Sequence, residues 1–109
     1  MKSYEDAILF DFYGNLLTEK MQTALDYYLN EDLSLAEIAQ TTNISRQGVY
    51  DTIRRAQKLL KEYEQKLGLA QRFNARTDKI DEAINLIDEG KSQEARQLLT
   101  ILRDEMNMD

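Results

Sequence analysis

The chain has 109 residues, with 14 basic and 20 acidic side chains, a net charge of −6, and neither histidine, cysteine nor proline. Those absences exclude a disulfide framework, a zinc finger, a thiol nucleophile and an imidazole base. A proline-free chain with four glycines, rich in Leu, Ala, Glu, Gln, Lys and Arg, reads as all-α, and its length suits one compact domain with an appendage.

Residues 4–14 read as the first helix, with Tyr4, Ile8 and Phe12 on one stripe and Leu9, Tyr13 and Leu16 beside it. Gly14-Asn15 is the stop signal. Thr18 caps a second helix to about Leu29, with Met21, Leu25 and Tyr28 inward. The aromatic group Phe10, Phe12, Tyr13, Tyr27 and Tyr28 reads first as core packing; Phe10 and Tyr27, which fall off these stripes, are the alternative's candidates for a partner surface. The acids Glu5-Asp6, Asp11, Asp26 and Glu31-Asp32 read as solvated faces and not as a metal site.

Two further helix starts follow, eleven residues apart. Ser34 and Glu37 form a capping box at the first, and Ser45 caps the second, with Gly48 where the reciprocal Glu would stand. Between them Thr41-Thr42-Asn43 supplies a tight turn in which Asn43 tolerates the left-handed conformation. Leu35, Ile38 and Ala39 face Ile44, Val49 and Ile53, which makes residues 34–60 a helix-turn-helix. The second helix of the pair continues through Leu59, Leu60, Tyr63 and Leu67 to Gly68. Asn74 to Thr77 reads as a joint. A helix over Asp78–Glu89 then carries Ile80, Ile84 and Ile87 inward and ends at Gly90. Ser92 caps a last helix with Ala95, Leu98, Leu99, Leu102 and Met106.

The expected organisation is a helix-turn-helix domain over 1–67, without a wing and with a long fourth helix. A C-terminal helical hairpin over 68–109 serves packing or dimerisation, because it holds more apolar surface than a lone hairpin hides. No apolar run approaches the roughly 18 residues of a membrane span, which points to a cytoplasmic protein without a membrane partner.

Charge is unevenly spread. Residues 1–33 carry two basic and seven acidic groups, residues 34–67 six and four, and residues 68–109 six and nine. The one cationic segment holds the second helix of the motif. Its candidate nucleic-acid-binding residues are Ser45, Arg46, Gln47, Tyr50, Arg54, Arg55 and Lys58. Arg46 and Gln47 sit in the first turn, where Arg can fork onto guanine and Gln onto adenine. Arg54, Arg55 and Lys58 either contact phosphates or pair with Glu62 and neighbouring acids. Tyr50 either stacks on an unpaired base or covers the core edge, and Asp51 opposes phosphate. No phosphate loop, dinucleotide turn or G-x-S-x-G occurs, so the reading is not an enzyme and calls for no cofactor or metal.

The Leu17-Thr18 start, Ser34-Leu35-Ala36-Glu37-Ile38-Ala39 and Ser45-Arg46-Gln47-Gly48-Val49 are similar to region 4 of bacterial sigma factors. Asp11-Phe12-Tyr13, Leu16-Leu17-Thr18, Tyr27-Tyr28, Ser45 through Asp51 and Tyr63-Glu64-Gln65-Lys66-Leu67 more closely resemble the YlxM family of small bacterial helix-turn-helix proteins. The resemblance covers about residues 4–70. It implies a regulatory protein that binds DNA or RNA and takes part in the signal recognition particle pathway, whose protein or RNA is then a partner. The alternative it allows is a protein-interaction accessory module of that particle, with the helix-turn-helix as scaffold. A homodimer is expected in either case.

Overall fold

The computed structural model describes residues 3–108; Met1, Lys2 and Asp109, the outermost residues of the two expected domains, lie outside the described residues. The elements are α1 (Tyr4–Tyr13), a 3₁₀ turn (Gly14–Leu16), α2 (Glu19–Leu25) prolonged by a π turn (Asp26–Asn30), α3 (Leu35–Thr42), α4 (Arg46–Leu67), α5 (Leu69–Asp88) and α6 (Ser92–Asn107). The fold is all-α, and the described residues contain no strand. The chain divides into two compact units, Met1–Ala70 and Gln71–Asp109. No helix among the described residues is long and apolar enough to cross a membrane.

Local chemistry sets the helix starts of the first unit. The Ser3 hydroxyl accepts from Asp6 N–H at 3.1 Å, and that of Thr18 accepts from Met21 N–H at 3.2 Å. At α3 the box is complete: Glu37 N–H donates to Ser34 Oγ at 3.1 Å, and Ser34 N–H donates to Glu37 Oε1 at 3.0 Å. The backbone bond from Ser34 holds the Glu37 carboxyl below its ordinary value. Asn43 ends α3 at φ 59°, and Gly68 ends α4 at φ 62°.

α4 is the spine of this unit and packs against α1, α2 and α3. Val49, Ile53, Ala56 and Leu60 form its inward stripe and meet Leu9, Tyr13, Leu25 and Ile38 in the core. On α1 the buried stripe is Leu9 and Tyr13, whereas Tyr4 and Leu16, expected with the apolar set, are 84% and 55% exposed. Asp6, expected on a solvated face, is buried and accepts from Gln57 Nε2 at 3.0 Å. A carboxylate on α1 thus joins an amide on α4 across the core edge, as a buried charge requires. Phe10 and Tyr27 are half-buried against the core, as the larger aromatic group was expected to be.

The second helix departs from its expected shape at Asp26. Glu31 N–H bonds back to Asp26 C=O at 3.2 Å, and Leu33 N–H to Tyr27 C=O at 3.0 Å. Across this wider turn Tyr27, Tyr28 and Leu29 are half-buried against the core.

Gly68 separates α4 from α5, and one buried phenol organises the break. Tyr13 OH donates to Glu64 Oε1 and accepts from Leu69 N–H at 2.9 Å, while Ala70 N–H donates to the same Glu64 oxygen at 3.1 Å. Two orphan donors of the first turn of α5 are thereby satisfied. Burial pushes the Tyr13 phenol above its ordinary value, and the bond to Glu64 adds to this. Tyr13→Phe leaves the Leu69 N–H without its acceptor and is expected to cost about 1–3 kcal/mol. At roughly 4–8 °C per kcal/mol this is visible in a thermal melt. Amide exchange should quicken at Leu69; an unchanged melting temperature and unchanged Leu69 protection would rule out this role for the phenol.

In the second unit, α5 runs unbroken through Asn74–Thr77, where a joint was expected: the segment holds neither Gly nor Pro, and nothing in it interrupts the backbone ladder. The helical hairpin closes on Ala83, Leu86, Ala95, Leu98 and Leu102, with small Ala83 and Ala95 buried at 1% exposure each. Ile80, Ile84 and Ile87, expected inward, point to solvent at 44%, 51% and 53% exposure. Ser92 lies inside α6 and does not cap it; Lys91 is the N-cap residue and makes no side-chain capping bond. Lys79 Nζ and Glu105 Oε2 pair across the hairpin at 3.0 Å.

Candidate nucleic-acid interface

The start of α4 follows from its capping chemistry and from a glycine. The Ser45 hydroxyl accepts from Gly48 N–H at 3.0 Å, so this candidate residue positions the helix rather than offering a free hydroxyl. A Cβ at Gly48 would lie 2.8 Å from Ile44 Cγ2 and 3.1 Å from Ser45 Oγ. The turn between α3 and α4 is therefore tight enough to demand hydrogen there. Gly48→Ala would gain up to about 1 kcal/mol of helix propensity at an ordinary site. Here the clash with a β-branched side chain outweighs that gain, and a lowered melting temperature is expected. A variant more stable than the parent would refute the packing argument.

With the capped start fixed, the helical period decides what faces out. Arg46, Gln47, Arg54, Arg55 and Lys58 are exposed, and Tyr50 is 39% exposed. Gln47, Arg54 and Lys58 share one stripe, spaced seven and four residues, and Lys61 extends it by three. From Gln47 to Lys61 the stripe runs about 21 Å at 1.5 Å per residue. Its first turns match a major groove some 12 Å wide, with the later cations left for the flanking backbone.

The pairing of these groups separates the open alternatives. Arg46, Arg54, Arg55 and Lys58 form no ion pair among the described residues, including with Glu62. Asp51, the one acid on the outer face near the helix start, accepts from Gln47 Nε2 at 3.0 Å. Its charge is thus partly engaged one turn away, and the Gln47 amide must turn from Asp51 before it contacts a base. Beside α4 a cleft of about 720 Å³ is lined by Arg54, Arg55, Lys58 and Lys61 together with Ser3, Glu5, Asp6 and Gln57. Asp6 is withdrawn into its bond with Gln57, which leaves Glu5 as the exposed carboxylate facing four cations.

The structure brings all seven sequence candidates onto the first four turns of one helix, six of them as an outward surface and Ser45 as its cap. Lys61 was not among them. The signal that finds it is the same heptad-like spacing carried one turn further, and the cleft it shares with Arg54 and Lys58. Among the described residues no group of three or more acidic side chains is arranged to hold a metal ion.

Comparison with known proteins agrees with this architecture. Residues 1–101 match the family described as "Putative helix-turn-helix protein, YlxM / p13 like". A UPF0122 protein of Desulforamulus reducens is 48% identical over 88 residues, covering 81% of this chain and 75% of that relative. UPF0122 protein STH1464 of Symbiobacterium thermophilum is 46% identical over 99 residues, covering 91% and 92%. A UPF0122 protein of Acetivibrio thermocellus is 57% identical over 72 residues, covering 66% and 62%. On the match over residues 1–101 and these identities, the chain belongs to the YlxM / p13-like helix-turn-helix family, UPF0122.

Proposed function

We propose that this protein is a nucleic-acid-binding regulator that works as a homodimer, with α4 as its reading helix and duplex DNA as its ligand. The observation that carries the reading is the outward stripe of α4, whose cations have no ion-pair partners among the described residues although the chain as a whole is acidic. Self-neutralisation of that stripe would have been easy in a chain with 20 acidic residues; it is kept free instead. Arg46 is the base-edge residue, Gln47 its neighbour once released from Asp51, and Arg54, Arg55, Lys58 and Lys61 the phosphate contacts. A helix with one exposed cationic face suits the open major groove of B-form DNA better than the deep, narrow major groove of RNA. Dimerisation adds a second reading helix and compensates for the few phosphate contacts that one small acidic protomer offers.

A titration by fluorescence anisotropy on mixed-sequence duplex DNA, signal recognition particle RNA and an unrelated RNA hairpin tests this. Binding to duplex that weakens in Arg46→Ala and in Arg54→Ala supports it. Preference for the particle RNA, with the same sensitivity, would move the regulator into the targeting pathway. Binding that ignores both substitutions, or none on any probe, would sink the reading and leave the motif as a scaffold for a protein of that particle.

A further inference from the structure

The helical hairpin of the second unit presents an apolar face whose charges are arranged to meet a second copy of themselves. On α5 that face is Ile80, Ile84 and Ile87, spaced four and three residues, and all more than two-fifths exposed. On α6 it continues through Leu99, and the two helices share a groove of about 400 Å³ lined by Ile87, Ala95, Leu99, Arg96 and Arg103. Both arginines stand on the edge of α6 away from α5, while Asp81 and Asp88, each one residue past an isoleucine, stand on the edge of α5 away from α6. The face is therefore an apolar strip with an acidic rim on one side and a basic rim on the other.

Register makes the two rims match. The antiparallel pair Lys79–Glu105 shows which positions on α5 and α6 reach one another along the hairpin. Each step forward on α5 is a step back on α6, so two residues on Asp81 corresponds to Arg103, and nine residues on Asp88 corresponds to Arg96. Within one copy these residues lie on opposite rims and do not pair with one another; Arg103 Nε lies 3.4 Å from Asp104 Oδ1, an exposed contact between sequence neighbours that Asp81 of a second copy would compete with. A two-fold axis parallel to the helices and between them lays α5 of one copy over α6 of the other without changing position along the axis. That operation places Asp81 against Arg103 of the second copy and Asp88 against its Arg96, at both edges of a four-helix layer. The isoleucines and Leu99 close between the two pairs of rims.

We infer that this face is the homodimer interface, held by the Ile80, Ile84, Ile87 and Leu99 strip and put in register by the Asp81–Arg103 and Asp88–Arg96 pairs. The inference rests on the dimeric part of the proposed function, not on nucleic-acid binding.

Charge exchange tests it on the full-length chain by analytical ultracentrifugation. One variant carries Asp81→Arg and Asp88→Arg; the other carries Arg96→Asp and Arg103→Asp. Each alone sets like charges against like and is expected to weaken its own dimer by about tenfold or more. An equimolar mixture is expected to restore association as a heterodimer, which also shows that both variants fold. If the parent is a dimer but neither variant is weakened and no heterodimer is favoured, this interface is wrong while dimerisation stands. If the parent sediments as a monomer at about 100 μM, a concentration that saturates any interface with Kd in the low micromolar range, both are wrong.

Discussion

Arg54→Ala combined with Lys58→Ala is expected to remove most of the affinity for duplex DNA and to halve its dependence on salt. If Arg54, Arg55, Lys58 and Lys61 each neutralise one phosphate, four contacts per protomer give a slope of log affinity against log salt of about −3.6. Between about 50 and 200 mM salt a single protomer then loses on the order of a hundredfold in affinity. With two of the four removed the slope falls to about −1.8, and the same change in salt costs only about tenfold. Stability should be almost untouched, because both side chains are exposed and make no ion pair among the described residues. A double variant with the parent's slope would mean that phosphate is met elsewhere on the molecule.

Ile53→Ala is expected to have the opposite profile, with loss of fold first and binding only as a consequence. Ile53 is fully buried, at 0% exposure, and lies on α4 between Val49 and Ala56, where that helix crosses the rest of the bundle. Truncating a buried isoleucine to alanine costs about 2–5 kcal/mol through lost transfer energy and the cavity left behind. Against a total stability of about 5–15 kcal/mol that is a large fraction. A 70-residue unit should melt lower by about 10 °C or more, with α3 and α4 losing their fixed crossing in the same transition. A thermal melt followed by circular dichroism measures it, and a shift of only a degree or two would mean that the core tolerates collapse at this point.

These two substitutions separate what the sequence displays from what it hides. The capping residues Thr18, Ser34 and Ser45, the left-handed Asn43 and the stop at Gly68 act within a few residues of themselves, so their chemistry is visible in the string alone. The outward stripe of α4 is visible for the same reason: a well-capped start fixes the phase, and the period does the rest. The Asp6–Gln57 bond is invisible, because its partners are 51 residues apart and each reads as an ordinary surface residue. The π turn is hidden as well, since Asp26–Asn30 holds neither Gly nor Pro to announce it.

The second unit misleads for another reason. Ile80, Ile84 and Ile87 are the most apolar stripe of α5, yet the neighbouring stripe with Ala83 and Leu86 faces α6. Ala83 and Ala95 are each 1% exposed and take the inner face with Leu86, Leu98 and Leu102. The isoleucines are left outside as an exposed apolar strip.

The claim that α4 reads nucleic acid is tested most directly by mapping the contact on the protein itself. Amide chemical shifts of the nitrogen-15-labelled chain, followed as duplex DNA is added at low salt, report which residues meet it. The largest changes are expected across residues 45–61, with Arg46, Gln47, Arg54 and Lys58 among the first to move and α6 unaffected by the ligand. Changes concentrated away from α4, or a spectrum unmoved by saturating duplex and by RNA, would contradict it.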